Sequence, residues 1–359
     1  MHLLRRAGAT PGQLRRMMVG EASIVALAGA ALAVWPAMLG GRALLDRFQD
    51  SGQVASGVDH VFGPIALGSG IGITLFASAG AAFLAVRRGT RTGTRSGRSA
   101  GPARNVAGYA ALLVGAAGVC ATFTMNATDN ALMAAPAYGA ILLSVGFAVL
   151  SPLLLRALLG RLGRPITALF GASGYLTVLN LRRRAAELSA ILMPLILFTG
   201  MATATLYMQA VETSAITASG VVKSVEDKTL ETLNLVVVGI VVVFSCIMLI
   251  NSLYAATSYR GREFGQQRLA GATPGQVLRM VGCESLILTV TGILFGTLAA
   301  IAGLLPFTVV RTDTILPDQG PGIWLTIIAV AAAATLTTSL ATARRTLRTP
   351  AVAAVTVAA

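Results

Sequence analysis

Ala7-Gly-Ala-Thr-Pro-Gly-Gln13 occurs a second time, as Ala270-Gly-Ala-Thr-Pro-Gly-Gln276. The offset is 263 residues, and it extends outward from the identical core. Arg5 matches Arg268, Arg16 matches Arg279, Met17 matches Met280 and Glu21 matches Glu284, giving 11 identities in the 17 positions from Arg5 to Glu21. Apolar segments resemble one another by chance, but a polar seven-residue identity is a mark of internal duplication. Each copy runs directly into a long apolar segment.

The repeated residues predict a helix, a sharp turn and a second helix. Gly8 and Gly271 permit the turn after a short basic helix. Thr10 and Thr273 are N-cap residues, and Pro11 and Pro274 follow at the first helical position, where a missing N–H leaves no bond unmade. Gln13 and Gln276 stand three residues after the cap and complete a capping box. On its own, one copy reads as a well-capped helix start. Two basic copies, each at the mouth of an apolar segment, point to a shared docking role.

Composition places these motifs in a membrane protein. Of 359 residues, 55% are hydrophobic and 12% charged, more apolar sequence than a soluble core can use. Eight segments are long enough to span a bilayer. They are Ala22–Leu44, Val61–Val86, Val106–Met125, Ala131–Leu155, Leu188–Met208, Leu233–Ala256, Ser285–Val310 and Ile323–Ala343. The predicted class is all-α: a polytopic membrane protein of about eight transmembrane helices in two pseudo-equivalent halves.

Charge orients the spans. The net charge is +14, and the basic residues lie between apolar segments, which reads as topology and not as nucleic-acid binding. With both termini and every second connection in the cytoplasm, 23 of the 28 basic residues fall inside. The five outside are Arg42, Arg47, Lys223, Lys228 and Arg311, while 10 of the 14 acidic residues share that outer side. Six crossings separate Gln13 from Gln276, so both motifs face the cytoplasm.

The connections divide the chain. Residues 1–86 hold the first motif and two spans; 87–104 is a basic Arg/Gly/Ser/Thr-rich linker, expected to be disordered and to touch anionic headgroups. Residues 105–156 add two spans. Within 157–184, Ile166, Leu169, Phe170, Leu176, Thr177 and Leu181 share a helical face, predicting an amphipathic helix along the inner surface. Residues 185–345 hold four spans and the second motif at 258–280, and 346–359 is a tail. The longest outer connection, Gln209–Thr232, has room for a helical turn or two but not for a folded domain.

Catalytic chemistry finds no carrier here. The two lysines lack the surroundings of a phosphate-binding loop. His2 and His60 are far apart, and Cys120, Cys246 and Cys283 lie singly within apolar stretches. No catalytic, metal-binding or cofactor-binding residue is predicted. Glu21, Glu187 and Glu284 stand at inner span ends, with Glu187 placed to pair with Arg183 or Arg184. Mid-bilayer charge, expected of proton-coupled carriers, is lacking. Gly68/Gly72 and Gly292/Gly296 form G-x-x-x-G pairs that permit close helix packing.

The stretch Tyr259-Arg-Gly-Arg-Glu-Phe264, then Arg268-Leu-Ala-Gly-Ala-Thr273 with Glu284 beyond, resembles the FtsX-like permease family of ABC transporters. Val178-Leu-Asn-Leu-Arg-Arg-Arg184 resembles that family's approach to its first span. The resemblance makes Leu179–Arg345 a complete four-span unit with a short external loop. It implies that the basic segment is the coupling helix that meets a dimeric ATPase subunit. The coupling residues it implies are Arg5, Gly8, Thr10, Pro11, Arg16 and Glu21 in one copy. In the other they are Arg262, Arg268, Gly271, Thr273, Pro274, Arg279 and Glu284. The N-terminal unit departs from the pattern, since a first span, an external domain and a second span are expected before His2; a further permease segment or a second permease copy would supply them. The implied function is a cell-membrane permease subunit that exports or extracts a hydrophobic or membrane-active substrate, with ATP hydrolysis in the partner. The alternatives are an ATP-independent carrier or channel, and a regulator that transmits ATPase motion.

Overall fold

The computed structural model describes residues 10–50, 52, 54–55, 57–58, 63–91, 100–127, 132–218, 225–258, 260–315 and 317–356. Among them the ordered elements are all helical. The α-helices are α1 (Pro11–Asp50), α2 (Pro64–Arg91), α3 (Ala100–Ala121), α4 (Ala134–Val149), α5 (Ser151–Arg183), α6 (Ala185–Ala218), α7 (Val225–Ser258), α8 (Gly261–Leu269), α9 (Pro274–Thr312), α10 (Gly322–Leu347) and α11 (Ala351–Thr356), with a 3-10 turn at Thr122–Thr124. Seven helical stretches are long and apolar enough to cross a membrane, and the bent pair α4–α5 brings the number to eight. The protein is an all-α, multi-pass membrane protein.

The fourth predicted span is sharply bent. Residues 134–149 and 151–161 meet at an angle of 70°. Pro152 explains the break: it has no N–H to give the Ala148 carbonyl, and its ring would collide with that carbonyl in a continuous helix. Leu153 and Leu154 instead bond back to the Leu150 carbonyl, at 2.9 and 3.0 Å. The predicted interfacial segment is helical, but it is not one straight rod. The guanidinium of Arg182 donates to the Leu159 carbonyl at 3.0 Å. A straight helix would hold those residues roughly 34 Å apart. Pro165, Gly171 and Gly174 supply the weak points between them. The side chains of residues 166–177 lie outside the described residues, as does that of Glu187.

Several helices overrun their spans. α1 has 40 residues, about 60 Å, twice the hydrocarbon thickness. α2 runs to Arg91 and α3 begins at Ala100, so both ends of the basic linker are helical while 92–99 lie outside the described residues. The connection between α6 and α7 is likewise more helical than expected, since α6 continues to Ala218 and α7 begins at Val225.

The chain divides into two compact units, 1–101 with 223–231, and 102–222 with 232–359. In the first, α1 and α2 pack antiparallel. Ser78 donates to the Ala22 carbonyl at 3.0 Å. The Arg15 guanidinium lies 5.5 Å from the Phe83 ring centroid. At the other end Gln49 ties down the connection through the carbonyls of Ala55 and Val58.

In the second unit α6 is the central helix. Leu192, Leu195, Ile196 and Phe198 are fully buried, in a core shared with Leu159, Leu249, Leu253 and Ala331. α9 approaches α6 along Gly292 and Gly296, and α4 at Gly303. A Cβ on Gly292 would run into the Leu195 side chain, and one on Gly296 would lie 2.7 Å from Thr199 Cβ and 2.9 Å from the Ile196 carbonyl. One on Gly303 would lie 2.7 Å from Ala140 Cβ on α4. Large apolar side chains elsewhere face outward, Phe76 at 85% and Ile24 at 70% exposure among them, as lipid-facing residues do.

Candidate functional site

The second motif builds its turn from two complementary caps. α8 ends at Leu269, and Gly271 follows with φ of +99°. The Gly271 amide donates to the Arg268 carbonyl at 3.0 Å and the Ala272 amide to the Gln267 carbonyl at 2.9 Å. This pair of backward bonds closes a helix at a left-handed glycine. Two residues later the next helix opens. The Gln276 amide donates to Thr273 Oγ1 at 3.3 Å, while the Thr273 amide donates to Gln276 Oε1 at 2.8 Å. The first motif repeats the capping box, with distances of 3.3 and 2.9 Å between Thr10 and Gln13. Pro11 and Pro274 each start the helix that follows. Arg5 and Gly8 lie outside the described residues.

α8 is fastened to the rest of its unit by charge. Glu263 accepts from Arg184 Nη1 at 2.7 Å on both carboxylate oxygens, and from Arg260 Nε and Nη2 at 2.9 and 3.1 Å. Arg260 Nη1 reaches onward to Glu284 Oε2 at 2.6 Å. The side chains of Arg260 and Glu284 are 12% and 4% exposed. The Arg260 guanidinium also lies 5.2 Å from the Phe264 ring centroid. One network thus joins the start of α6, α8 and the first third of α9. Beneath it Phe264 is buried with Val277, Val281 and Ala343.

The residues expected to couple therefore fall into different places. Arg262, Gly271, Thr273, Pro274 and Arg279 are exposed, as are Thr10, Arg16 and Glu21 in the first copy. Arg268 turns inward, where Nη1 donates to the carbonyls of Leu347 and Thr349 at 3.1 and 2.9 Å and caps the end of α10. Glu284 is buried on Arg260. Arg184 pairs with Glu263 on α8, 79 residues away. Sequence reasoning missed Arg184, Arg260 and Glu263 as site residues. Arg260 and Glu263 stand at i, i+3 and were legible as a local pair; their meeting with Arg184 and Glu284 was not.

The family model for the FtsX-like permease C-terminal domain matches residues 1–93 and 235–351, more than half of the chain. The chain belongs to the FtsX-like permease family. Each matched segment contains one copy of the motif. No curated protein and no solved structure matches the chain. As a family member the permease is a transmembrane component of an ABC-type transport system and not itself an enzyme. Its site performs no bond chemistry. The arrangement presents Arg262 on a short helix whose position is fixed by charge against α6 and α9.

Proposed function

We propose that this permease couples to a separate, dimeric ATPase subunit through α8 and the α8–α9 turn, with the first motif forming the second docking point. The observation that carries the reading is the Arg184–Glu263–Arg260–Glu284 network. α8 presents Arg262 and, at its end, Leu269 at 56% exposure. Its opposite side is locked to α6 and α9, so a push on α8 moves both helices together. Exposed arginines suit an acidic cleft on the partner. The setting is the cytoplasmic membrane, with both termini inside. The cargo is a hydrophobic or membrane-active molecule that is exported or extracted. The buried core of unit 2 is built mainly of aliphatic side chains with hydroxyls such as those of Ser144 and Thr199 among them, Glu212 and Arg311 pair toward one end of α6 and α9, and Glu284 lies in the first third of α9.

The test is ATP hydrolysis and subunit binding in complexes reconstituted with a separate ABC ATPase subunit. Gly271→Val imposes a β-branched residue on a φ of +99° and should lower transport-coupled hydrolysis while insertion stays normal. Gly8→Val tests the first copy. If neither variant, nor both together, changes hydrolysis or ATPase binding, the motifs are helix caps alone.

A further inference from the structure

α8 turns a different face to each of its surroundings, and one face holds the segment that follows α10. Arg262, Gln266 and Leu269 stand at i, i+4 and i+7 and are exposed. Gly261, Gly265 and Arg268 keep the same spacing one residue earlier, so they line the adjacent stripe. A Cβ on Gly261 would lie 3.1 Å from Thr346 Cγ2 in the last turn of α10. Gly265 is buried. Arg268 reaches the carbonyls of Leu347 and Thr349. The stripe is therefore the seat of residues 346–349, and α11 packs against the same helix.

The segment's own sequence explains how it comes to lie there. α10 ends at Leu347. Pro350 disfavours helical backbone at Thr349 and has no N–H to continue the helix. The last carbonyls of α10 then need donors from elsewhere. Arg268 supplies one to Leu347 and to Thr349 just beyond it, and sets a positive charge where the dipoles of both α8 and α10 end. The Pro350 carbonyl accepts from the Ala354 amide at 2.9 Å, within the single turn of α11. Ala351, Ala353 and Ala354 are half-buried, while Val352 is 64% exposed. Arg348 is exposed and lies between the two residues that Arg268 holds. From Asp318 to Ala359 no further acidic residue occurs, whereas Arg344, Arg345 and Arg348 do.

We infer, on the ATPase reading above, that residues 348–356 are part of the docking surface, held on α8 by Arg268, and that Arg268 acts on the partner only through this segment. Arg348 and Val352 widen the surface begun by Arg262 and Leu269. Two guanidiniums beside two apolar side chains fit an apolar hollow rimmed by carboxylates on the ATPase subunit. Arg268 is thus a positioning residue and not a contact.

Two measurements on the full permease in nanodiscs separate the brace from the docking. In the permease alone, Arg268→Ala and Ala354→Pro, which deletes the bond to Pro350, should each speed amide exchange in α8 and leave α6 unchanged. Parent-like exchange in α8 in both variants would overturn the brace. With a separate ABC ATPase subunit added, each variant should bind it several-fold more weakly. The double variant should bind no more weakly than Arg268→Ala, because both changes act through one contact. Additive losses would mean that Arg268 meets the ATPase directly, and unchanged binding that the brace does not serve docking; either result overturns the inference. Arg348→Glu and Val352→Asp should weaken binding with exchange in α8 at the parent's rate, and full binding by both would remove the segment from the surface. Arg262→Glu is the reference for the ATPase reading itself. Parent-like binding there, with α8 exchange still faster in Arg268→Ala, would sink the docking role and leave the brace a purely structural contact.

Discussion

At the residue scale the network around Arg260 separates residues that hold the site from residues that meet a partner. Glu284 accepts from Arg260 in a nearly dry setting. Removing one member of a buried ion pair leaves the other desolvated, and Glu284→Ala is expected to destabilise unit 2 by roughly 3 kcal/mol. The figure sits at the low end of the usual range because Glu263 still holds Arg260. Thermal unfolding in detergent measures it, and a melting curve superimposable on the parent's would contradict the account. Arg262→Glu makes the opposite case. Arg262 is exposed, so its reversal should leave the melting temperature alone and weaken ATPase binding in pull-downs. Thr273→Ala deletes a cap worth about 1 kcal/mol. Faster amide exchange confined to the first turn of α9 is its expected signature, and no change there would deny the cap its role.

At the scale of elements, the same motif has opposite consequences in two helices. Gly292/Gly296 on α9 and Gly68/Gly72 on α2 have the same G-x-x-x-G spacing. A Cβ at Gly296 would press on backbone atoms, including the Gly200 amide nitrogen at 3.0 Å, and backbone does not rotate aside. Gly296→Ala should therefore destabilise by about 1–3 kcal/mol, the range for overpacking a close contact. Gly72→Ala meets nothing within 4 Å. It is expected to be neutral or slightly stabilising, since Ala is the better helix former. Paired unfolding curves of the two variants decide this; equal effects would mean that the glycines do not set the α6–α9 distance. The opposite end of the same helix pair is closed by Arg311, which forks onto Glu212 at 2.8 and 2.9 Å. α6 and α9 are thus joined by charge at both ends and by glycine packing between, which suits a pair that moves as one body.

At the scale of the whole molecule the bent pair α4–α5 decides the parity of the chain. If it crosses, there are eight spans, both motifs face the cytoplasm and the C-terminus shares their side. If it re-enters on the side it left, there are seven, and the motifs lie on opposite sides. The basic residues from Arg156 to Arg184 favour a crossing, because they fall inside only then. Reporter fusions at Arg95 and at the C-terminus are expected to read cytoplasmic together. A split result would sink the eight-span arrangement, and with it a paired docking site. Protease added from outside should release only small peptides; a stable fragment of domain size would contradict the short outer connections.

The sequence alone determined the class, the duplication and the local form of the motif. Hydrophobic length, charge bias and cap residues act within a few turns of chain, so Thr10, Gln13, Gly271, Thr273 and Gln276 are legible where they stand. Only the tertiary structure decided what Arg268, Arg184 and Glu284 do. A guanidinium near the surface serves equally a partner's carboxylate, its own helix or a carbonyl 79 residues away, and sequence spacing does not rank these. The same holds for the glycines: G-x-x-x-G says that a helix has a flat face, and only the fold shows that α6 lies on one such face. Pro152 was in plain view, but whether it ends a helix or bends it depends on what packs beyond. Bonds within one turn follow from neighbours in sequence; bonds between helices follow from which faces the bilayer and the core bring together.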